Sequence, residues 1–262
     1  MTNIISSGKE YIESLKNREL NVYLFGELIE DPVEHPIIRP SINALAKTYD
    51  LANENPDLAS AFSPYTKQRI NRFLHIAESE KDLILQNKMQ RKLGQLTGTC
   101  FQRCVGMDAI NSLHSVTYDI DESHKTNYHN RFISFLTTIQ KQGLVIGGAM
   151  TDVKGDRSLL PHQQSDPDLF VHVIDRNDDG VFITGAKAHQ TGVINSHWMI
   201  VMPTLRLTEN DKEYAIVGAI PVDAKGITYI YGRQSGDERH MDNTPIDAGN
   251  NNYAGQEALV VF

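Results

Sequence analysis

A chain of 262 residues with 40% hydrophobic and 22% charged side chains has material for a substantial core and room for two modest domains. The formal net charge of −8 is spread over intermixed acids and bases; with no basic block and no RNP-like aromatic pattern, it argues against a nucleic-acid partner. The opening residues, MTNIISSGKEYIESL, lack the charged-then-apolar layout of a signal peptide, and no apolar run approaches the ~20 residues that span a bilayer, so the expected location is the cytoplasm.

Residues 31–40 (DPVEHPIIRP) carry three prolines and predict a rigid, extended loop, on which His35 and Arg39 could face a ligand or be held by packing. Pro40 then breaks the chain and the cap-like Ser41 opens a helix with apolar Ile42, Leu45, Ala46 and Tyr49 at i, i+3, i+4 and i+7. Ile70, Phe73, Leu74 and Ala77 repeat that period, and Met89, Leu93 and Leu96 continue it. Tyr128, Phe132, Phe135, Leu136 and Ile139 predict a further helix, ended at Gly143. There the texture changes. Short β-branched or aromatic runs follow at 144–146, 169–174, 181–184, 198–202, 214–220, 227–231 and 258–262, separated by turn residues, most plainly Asn177-Asp178-Asp179-Gly180. Helices followed by strands predict an α+β chain with a helical domain over 1–142 and a β-domain over 143–262. Neither GxGxxG in a βαβ setting nor a P-loop is present, which disfavours a Rossmann or P-loop nucleotide site.

Three stretches are rich in chemistry. Residues 96–111 (LTGTCFQRCVGMDAIN) hold both cysteines of the chain, Cys100 and Cys104. On a helix that spacing puts the thiols on one face, one turn apart, where they could bind a soft metal centre but not complete its shell. The same spacing suits two small apolar residues in a helix seam. A disulfide is disfavoured in a chain that reads as intracellular. Residues 147–157 (GGAMTDVKGDR) pair two glycines, which would let a flat ligand approach the backbone, with the polar groups of Thr151, Asp152 and Lys154; a plain polar turn is the alternative. Residues 185–195 (GAKAHQTGVIN) read as a loop between strands that crowds Lys187, His189, Gln190 and Thr191, more donors and acceptors than a hairpin turn needs.

Together, LTGTCFQRCVGMDAIN, GGAMTDVKGDR, HQQSDPDLFVHV and KAHQTGVINSH resemble, in matching order from about Tyr23 to the last residue, the 4-hydroxybutyryl-CoA dehydratase/vinylacetyl-CoA Δ-isomerase branch of the 4-hydroxyphenylacetate 3-hydroxylase family. The resemblance implies an N-terminal helical domain, an antiparallel β-domain of the acyl-CoA dehydrogenase type and a C-terminal helical bundle. It implies FAD against the β-domain, a [4Fe–4S] cluster close by and a tetrameric habit. Cys100 and Cys104 match two cluster ligands; Met150, Thr151 and Asp152, with Lys154 a weaker candidate, match the flavin-contacting loop; His189, Gln190 and Thr191 match the second flavin and substrate segment; Glu257 matches an active-site glutamate. His162, His172, His197 and His240 read as packing or surface residues.

The implied reaction is the radical dehydration of 4-hydroxybutyryl-CoA to crotonyl-CoA. A base takes the acidic C2 proton, flavin accepts one electron, and the cluster acts as a Lewis acid on the departing hydroxyl. Here the sequence departs from the family: the family's third cysteine and its ligating histidine lie beyond the span matched, and these residues contain no third cysteine. The chain therefore reads as an N-terminal portion that lacks the helical bundle, with two of four cluster ligands, an exposed apolar face and no turnover alone. Two alternatives stand beside this reading: a reduced-flavin aromatic monooxygenase of the same superfamily, which the cysteine pair disfavours, and a non-catalytic fragment or split subunit needing a partner chain.

Overall fold

Ser7 caps the first helix: its hydroxyl accepts from the Glu10 amide at 3.2 Å while the Glu10 carboxylate accepts from the Ser7 amide at 3.1 Å, a reciprocal box that opens α1 (Gly8–Ser14). The computed structural model describes residues 4–178, 180–232 and 252–262. After α1, Phe25 and Gly26 both take positive φ, 52° and 88°, making the tight turn that joins β1 (Asn21–Leu24) to β2 (Glu27–Leu28). The proline-rich segment forms successive turns and runs directly into α2 (Arg39–Glu54). Pro40 does not break this helix but sits in its first turn, where the missing N–H costs nothing, and Ser41 is a buried helical residue that bonds the Ile38 carbonyl at 2.7 Å. Ile42, Leu45, Ala46 and Tyr49 form the buried face, as their spacing predicts.

A short α3 (Pro56–Ala59) leads into the hairpin β3 (Ser60–Phe62) and β4 (Arg69–Asn71). The helix expected over Ile70–Ala77 is not formed. β4 is followed by a single 3-10 turn, Arg72–Leu74. Its Arg72 guanidinium donates to the Leu58 carbonyl at 2.7 Å, while Phe73 and Leu74 enter two different apolar clusters, a split no single helical face could make. α4 (Glu80–Thr97) is capped by Ser79 and stopped by Gly98 in the left-handed conformation. α5 (Cys104–His124) and α6 (Tyr128–Gln142) pack against each other, and α6 ends at left-handed Gly143.

Beyond Gly143 lie β5 (Ile146–Ala149), β6 (His172–Asn177), β7 (Gly180–Thr184), β8 (Ala186–Thr191), β9 (Trp198–Val201), β10 (Gly218–Pro221), β11 (Thr228–Tyr231) and β12 (Glu257–Val261). β8 occupies what reads in the sequence as a loop, and β5 takes in Gly147 and Gly148. Residues 214–217 are not strand; Tyr214 closes a 3-10 turn whose amides Asp211 caps. The turn between β6 and β7 contains Asp179, which lies outside the described residues, as does His240.

The sheets run β2-β1-β11-β12-β8 and β10-β9-β5, with β6-β7 and β3-β4 as separate hairpins. Most pairs are antiparallel; β1 with β11 and β5 with β9 are parallel, so both larger sheets are mixed. The main core joins Tyr11, Leu15, Val22 and Tyr49 from the first half to Val145, Met199, Tyr229 and Val260 from the second. A second cluster holds Ile110, Leu136 and Ile139 of the α5–α6 pair against Ile146 and Ile200. Outside it, Val116, Tyr128, Phe135 and Val217 line an apolar groove of about 480 Å³. Among the described residues no helix is long and apolar enough to cross a membrane.

Candidate functional site

The cysteine segment is not one helix. Left-handed Gly98 ends α4, residues 98–103 turn, and Cys104 is the first residue of α5, so Cys100 lies on the turn. The two sulfurs nonetheless face each other. The Cys104 thiol donates to Cys100, which with the Gln102 amide at 3.4 Å draws the Cys100 thiol down to about 6, and the bond to Cys100, then burial, pushes Cys104 up. Within the pair the contact favours the thiolate at Cys100 and the thiol at Cys104. Both are open to solvent, Cys100 exposed and Cys104 half-buried.

The residues between them hold the turn in place. Gln102 has φ 65° and a fully buried side chain: Nε2 donates to the Ser41 carbonyl at 2.7 Å and the Ala254 carbonyl at 3.3 Å, and Oε1 accepts from Asn195 Nδ2 at 2.8 Å. Arg103 points the other way, with its guanidinium over the rings of Tyr49 and Phe73 at 4.8 and 5.0 Å and donating to Thr48 Oγ1 at 3.0 Å. Behind the helix start, a Cβ on Gly106 would overlap the Ile146 carbonyl, and a Cβ on Gly192 (φ 69°) would lie 2.7 Å from Gln102 Cβ. α5 is therefore pressed onto β5, and the turn onto the end of β8.

That end of β8 carries the next groups. Thr191 pairs in register with Glu257 of β12, and its hydroxyl lies 3.4 Å from Glu257 Oε1. His189 Nδ1 is 3.6 Å from the other carboxylate oxygen. Glu257 is also within electrostatic reach of Cys100, where it opposes the fall in the thiol's pKa. Cys100, Cys104, Thr191, His189 and Glu257 consequently form one neighbourhood, with donors from three separate segments of the chain.

Gln190 ties this neighbourhood to the loop after β5. Fully buried, it accepts from the Met150 amide and donates to the Thr151 carbonyl, both at 2.9 Å. Asp152 turns inward: Lys187, itself buried, binds its carboxylate and also donates to the carbonyls of Met150 (3.1 Å) and Met202 (2.7 Å), while Thr204 donates its amide and hydroxyl to Asp152 Oδ2 at 3.0 and 2.9 Å. A buried pair so fully bonded fixes the backbone of 150–152. The Thr151 hydroxyl makes no hydrogen bond among the described residues, and Lys154 is exposed. Gly147 and Gly148 do not hold space for a flat ligand. A Cβ on Gly147 would meet Ser196 Oγ at 2.9 Å, and one on Gly148 would meet Val105 and Met150 at 2.8 and 2.9 Å, so both serve packing of the strand.

The anchors Gln102, Arg103, Asn195 and Lys187 have no signal in the sequence beyond lying inside the chemically rich stretches. His197 is a packing residue: its Nδ1 accepts from the Val145 amide at 3.0 Å, its Nε2 lies 2.9 Å from Ser14 Oγ, and burial depresses its pKa to about 3. His162 bonds Asp211 at 2.7 Å, and His172 leans on Tyr214.

Helices joined to mixed sheets define the fold class. The pattern of the 4-hydroxyphenylacetate 3-hydroxylase N-terminal family matches residues 7–262, and the chain belongs to that family. It is 52% identical over 99% of its length to the 4-hydroxybutyryl-CoA dehydratase/vinylacetyl-CoA-Δ-isomerase of Clostridium aminobutyricum, covering 54% of that protein. The structure of an oxygen-tolerant archaeal 4-hydroxybutyryl-CoA dehydratase from N. maritimus superposes with a TM-score of 0.95 at 66% identity, over 98% of this chain and 52% of that one. The FAD-complexed oxygenase component of 4-hydroxyphenylacetate 3-monooxygenase superposes with a TM-score of 0.78 at 21% identity, over 98% of this chain and 52% of that one, which shows the same fold. The chain spans about half the length of the relatives it matches.

Proposed function

We propose that this chain supplies the N-terminal part of a 4-hydroxybutyryl-CoA dehydratase that also isomerises vinylacetyl-CoA to crotonyl-CoA, with FAD and a [4Fe–4S] cluster as cofactors. The observation that carries this reading is the facing pair Cys100/Cys104 near Glu257 and Thr191, in a chain 52% identical to an enzyme of that name. By donor chemistry the pair fits one side of a cluster: two soft sulfurs, one with its thiolate favoured by the other, reachable from solvent. The described residues contain no group of three or more metal-ligating side chains, so in this reading the remaining ligands come from outside them. When bound, the flavin supplies one-electron chemistry and the cluster an electrophile for the leaving hydroxyl.

The chain's own residues divide the rest. Cys100 and Cys104 ligate, held by Gln102 and Arg103. Met150, Thr151, His189 and Gln190 form the flavin-facing edge, on which the unengaged Thr151 hydroxyl can bond a ring heteroatom. Asp152 contributes through its backbone, fixed by Lys187; Lys154 is a peripheral candidate. Glu257 moves a proton at the substrate, and Thr191 orients its carboxylate. We further propose a cytoplasmic homo-oligomer or a complex with a complementary C-terminal chain, inactive without it; the segments 1–142 and 143–262 divide by composition while sharing one core.

Anaerobic reconstitution with iron, sulfide and FAD tests this reading, with and without a separately expressed C-terminal half of the Clostridium relative. Brown absorbance with crotonyl-CoA formation in the combined sample supports it. A combined sample that stays colourless and inactive sinks it.

A further inference from the structure

β8 and β12 lose their register at one point. Gln190 pairs with Ala258 and Lys187 with Val260, so Ala188 and His189 together oppose the single residue Leu259. This is a β-bulge, and His189 occupies it with φ 55°, a left-handed conformation that a non-glycine residue adopts at a cost. The extra residue has two effects. It turns Lys187 into the interior, where it meets Asp152, and it leaves His189 on the solvent side, 3.6 Å from Glu257 Oε2 and 74% exposed. Thr191 flanks the opposite carboxylate oxygen, so Glu257 is bracketed by a hydroxyl on one side and an imidazole on the other.

Inward-turned Lys187 accounts for the bulge but not for the imidazole. Glycine or asparagine would take the same backbone conformation more readily. What histidine adds is a two-ended proton carrier, with one nitrogen at the carboxylate and the other towards water. We propose that His189 is the positioning and proton-exchange partner of Glu257, set against its carboxylate by the bulge in β8. The inference rests on the reading of Glu257 as the group that moves a proton at the substrate. In the resting pair His189 Nδ1–H faces the ionised carboxylate. Once Glu257 has taken a proton, water protonates Nε2 and removes the Nδ1 proton, the freed Nδ1 accepts the carboxyl O–H proton, and Nε2 returns its proton to water, which leaves the starting ring beside the carboxylate. The carboxylate is regenerated with no change of oxidation state. The groups facing this pair are Thr191 on the same strand and Cys100 on the turn before α5.

Two measurements test the pairing, one of them independent of cofactors. In proton–nitrogen correlation spectra of the 262-residue chain, assigned with His189→Asn, the His189 ring should show a protonated Nδ1. Glu257→Gln should return it to the Nε2–H tautomer that imidazole prefers in water. A His189 ring unaffected by Glu257→Gln overturns the proposal. In the reconstituted enzyme, His189→Asn should keep the fold but lower kcat per bound flavin by about tenfold or more with little change in KM, and added imidazole should restore part of the rate. Loss of flavin with no rescue by imidazole overturns it in favour of a plain flavin contact. If the unsubstituted reconstituted enzyme forms no crotonyl-CoA, the functional reading fails, and the spectra still decide the contact.

Discussion

Gln102 concentrates more structural duty than any of its neighbours, because one amide joins α2, the turn before β9 and the segment leading to β12. Replacing it by leucine removes the bonds to the Ser41 and Ala254 carbonyls and one of the two bonds of the Asn195 amide, which keeps the Ser41 hydroxyl, a loss of about 2–3 kcal/mol. Thermal unfolding should show that loss, and the cobalt(II)–thiolate absorption of the Cys100/Cys104 pair should weaken with it; an unchanged band would mean the turn holds itself. Cys100→Ser, by contrast, should abolish the band with little effect on unfolding, since the side chain is exposed. His197 sets an acid limit. Its folded pKa, about 3, lies below the unfolded value near 6.5, so its contribution is complete above pH 6.5. As pH falls from there towards 3, the unfolded chain takes up a proton the folded one refuses, and stability drops by about 1.4 kcal/mol per pH unit. Unfolding midpoints across that range should lose this slope in His197→Asn. The residues of the site were visible in the sequence as types in order; their directions were not. Asp152 looks like a ligand-facing carboxylate until Lys187 is known to lie beneath it, and no local pattern encodes that meeting.

At the scale of elements, what positions the cysteine pair is the seat of α5 on β5. Gly106→Ala would drive a methyl into the Ile146 carbonyl, forcing the helix start away from the strand. A destabilisation of about 3 kcal/mol is expected from such overpacking. Slower alkylation of Cys104 than in the parent chain would contradict the expected displacement. Periodicity found α2, α4 and α6 because each buries one continuous stripe. It failed at Ile70–Ala77, whose apolar residues serve two clusters, and at β8, whose Lys187 and Gln190 point into the interior, where they make a buried ion pair and a bridging amide. Strand propensity reads side-chain chemistry, and in β8 the chemistry belongs to the site rather than to the sheet.

Over the whole molecule, the compositional boundary at residue 143 does not separate two cores. Tyr11, Val22 and Tyr49 share one cluster with Val145, Tyr229 and Val260, and the Tyr11 hydroxyl bonds the Asn195 carbonyl at 2.6 Å. The chain should therefore unfold in one transition, with fluorescence and far-ultraviolet dichroism coinciding; two separated midpoints would show that the halves are independent. Residues 1–142 expressed alone should fail to reach a folded state, having lost β11, the parallel partner of β1, and half of the main core. That strand has a further consequence. Its parallel mate, β11, is synthesised roughly two hundred residues later. At ribosomal speeds of about 5–20 residues per second, the apolar side chains of Val22 and Leu24 wait for some tens of seconds before any sheet exists to receive them. The nascent polypeptide thus passes through a long interval in which its earliest strand, paired on one side with β2, presents a free edge on the other.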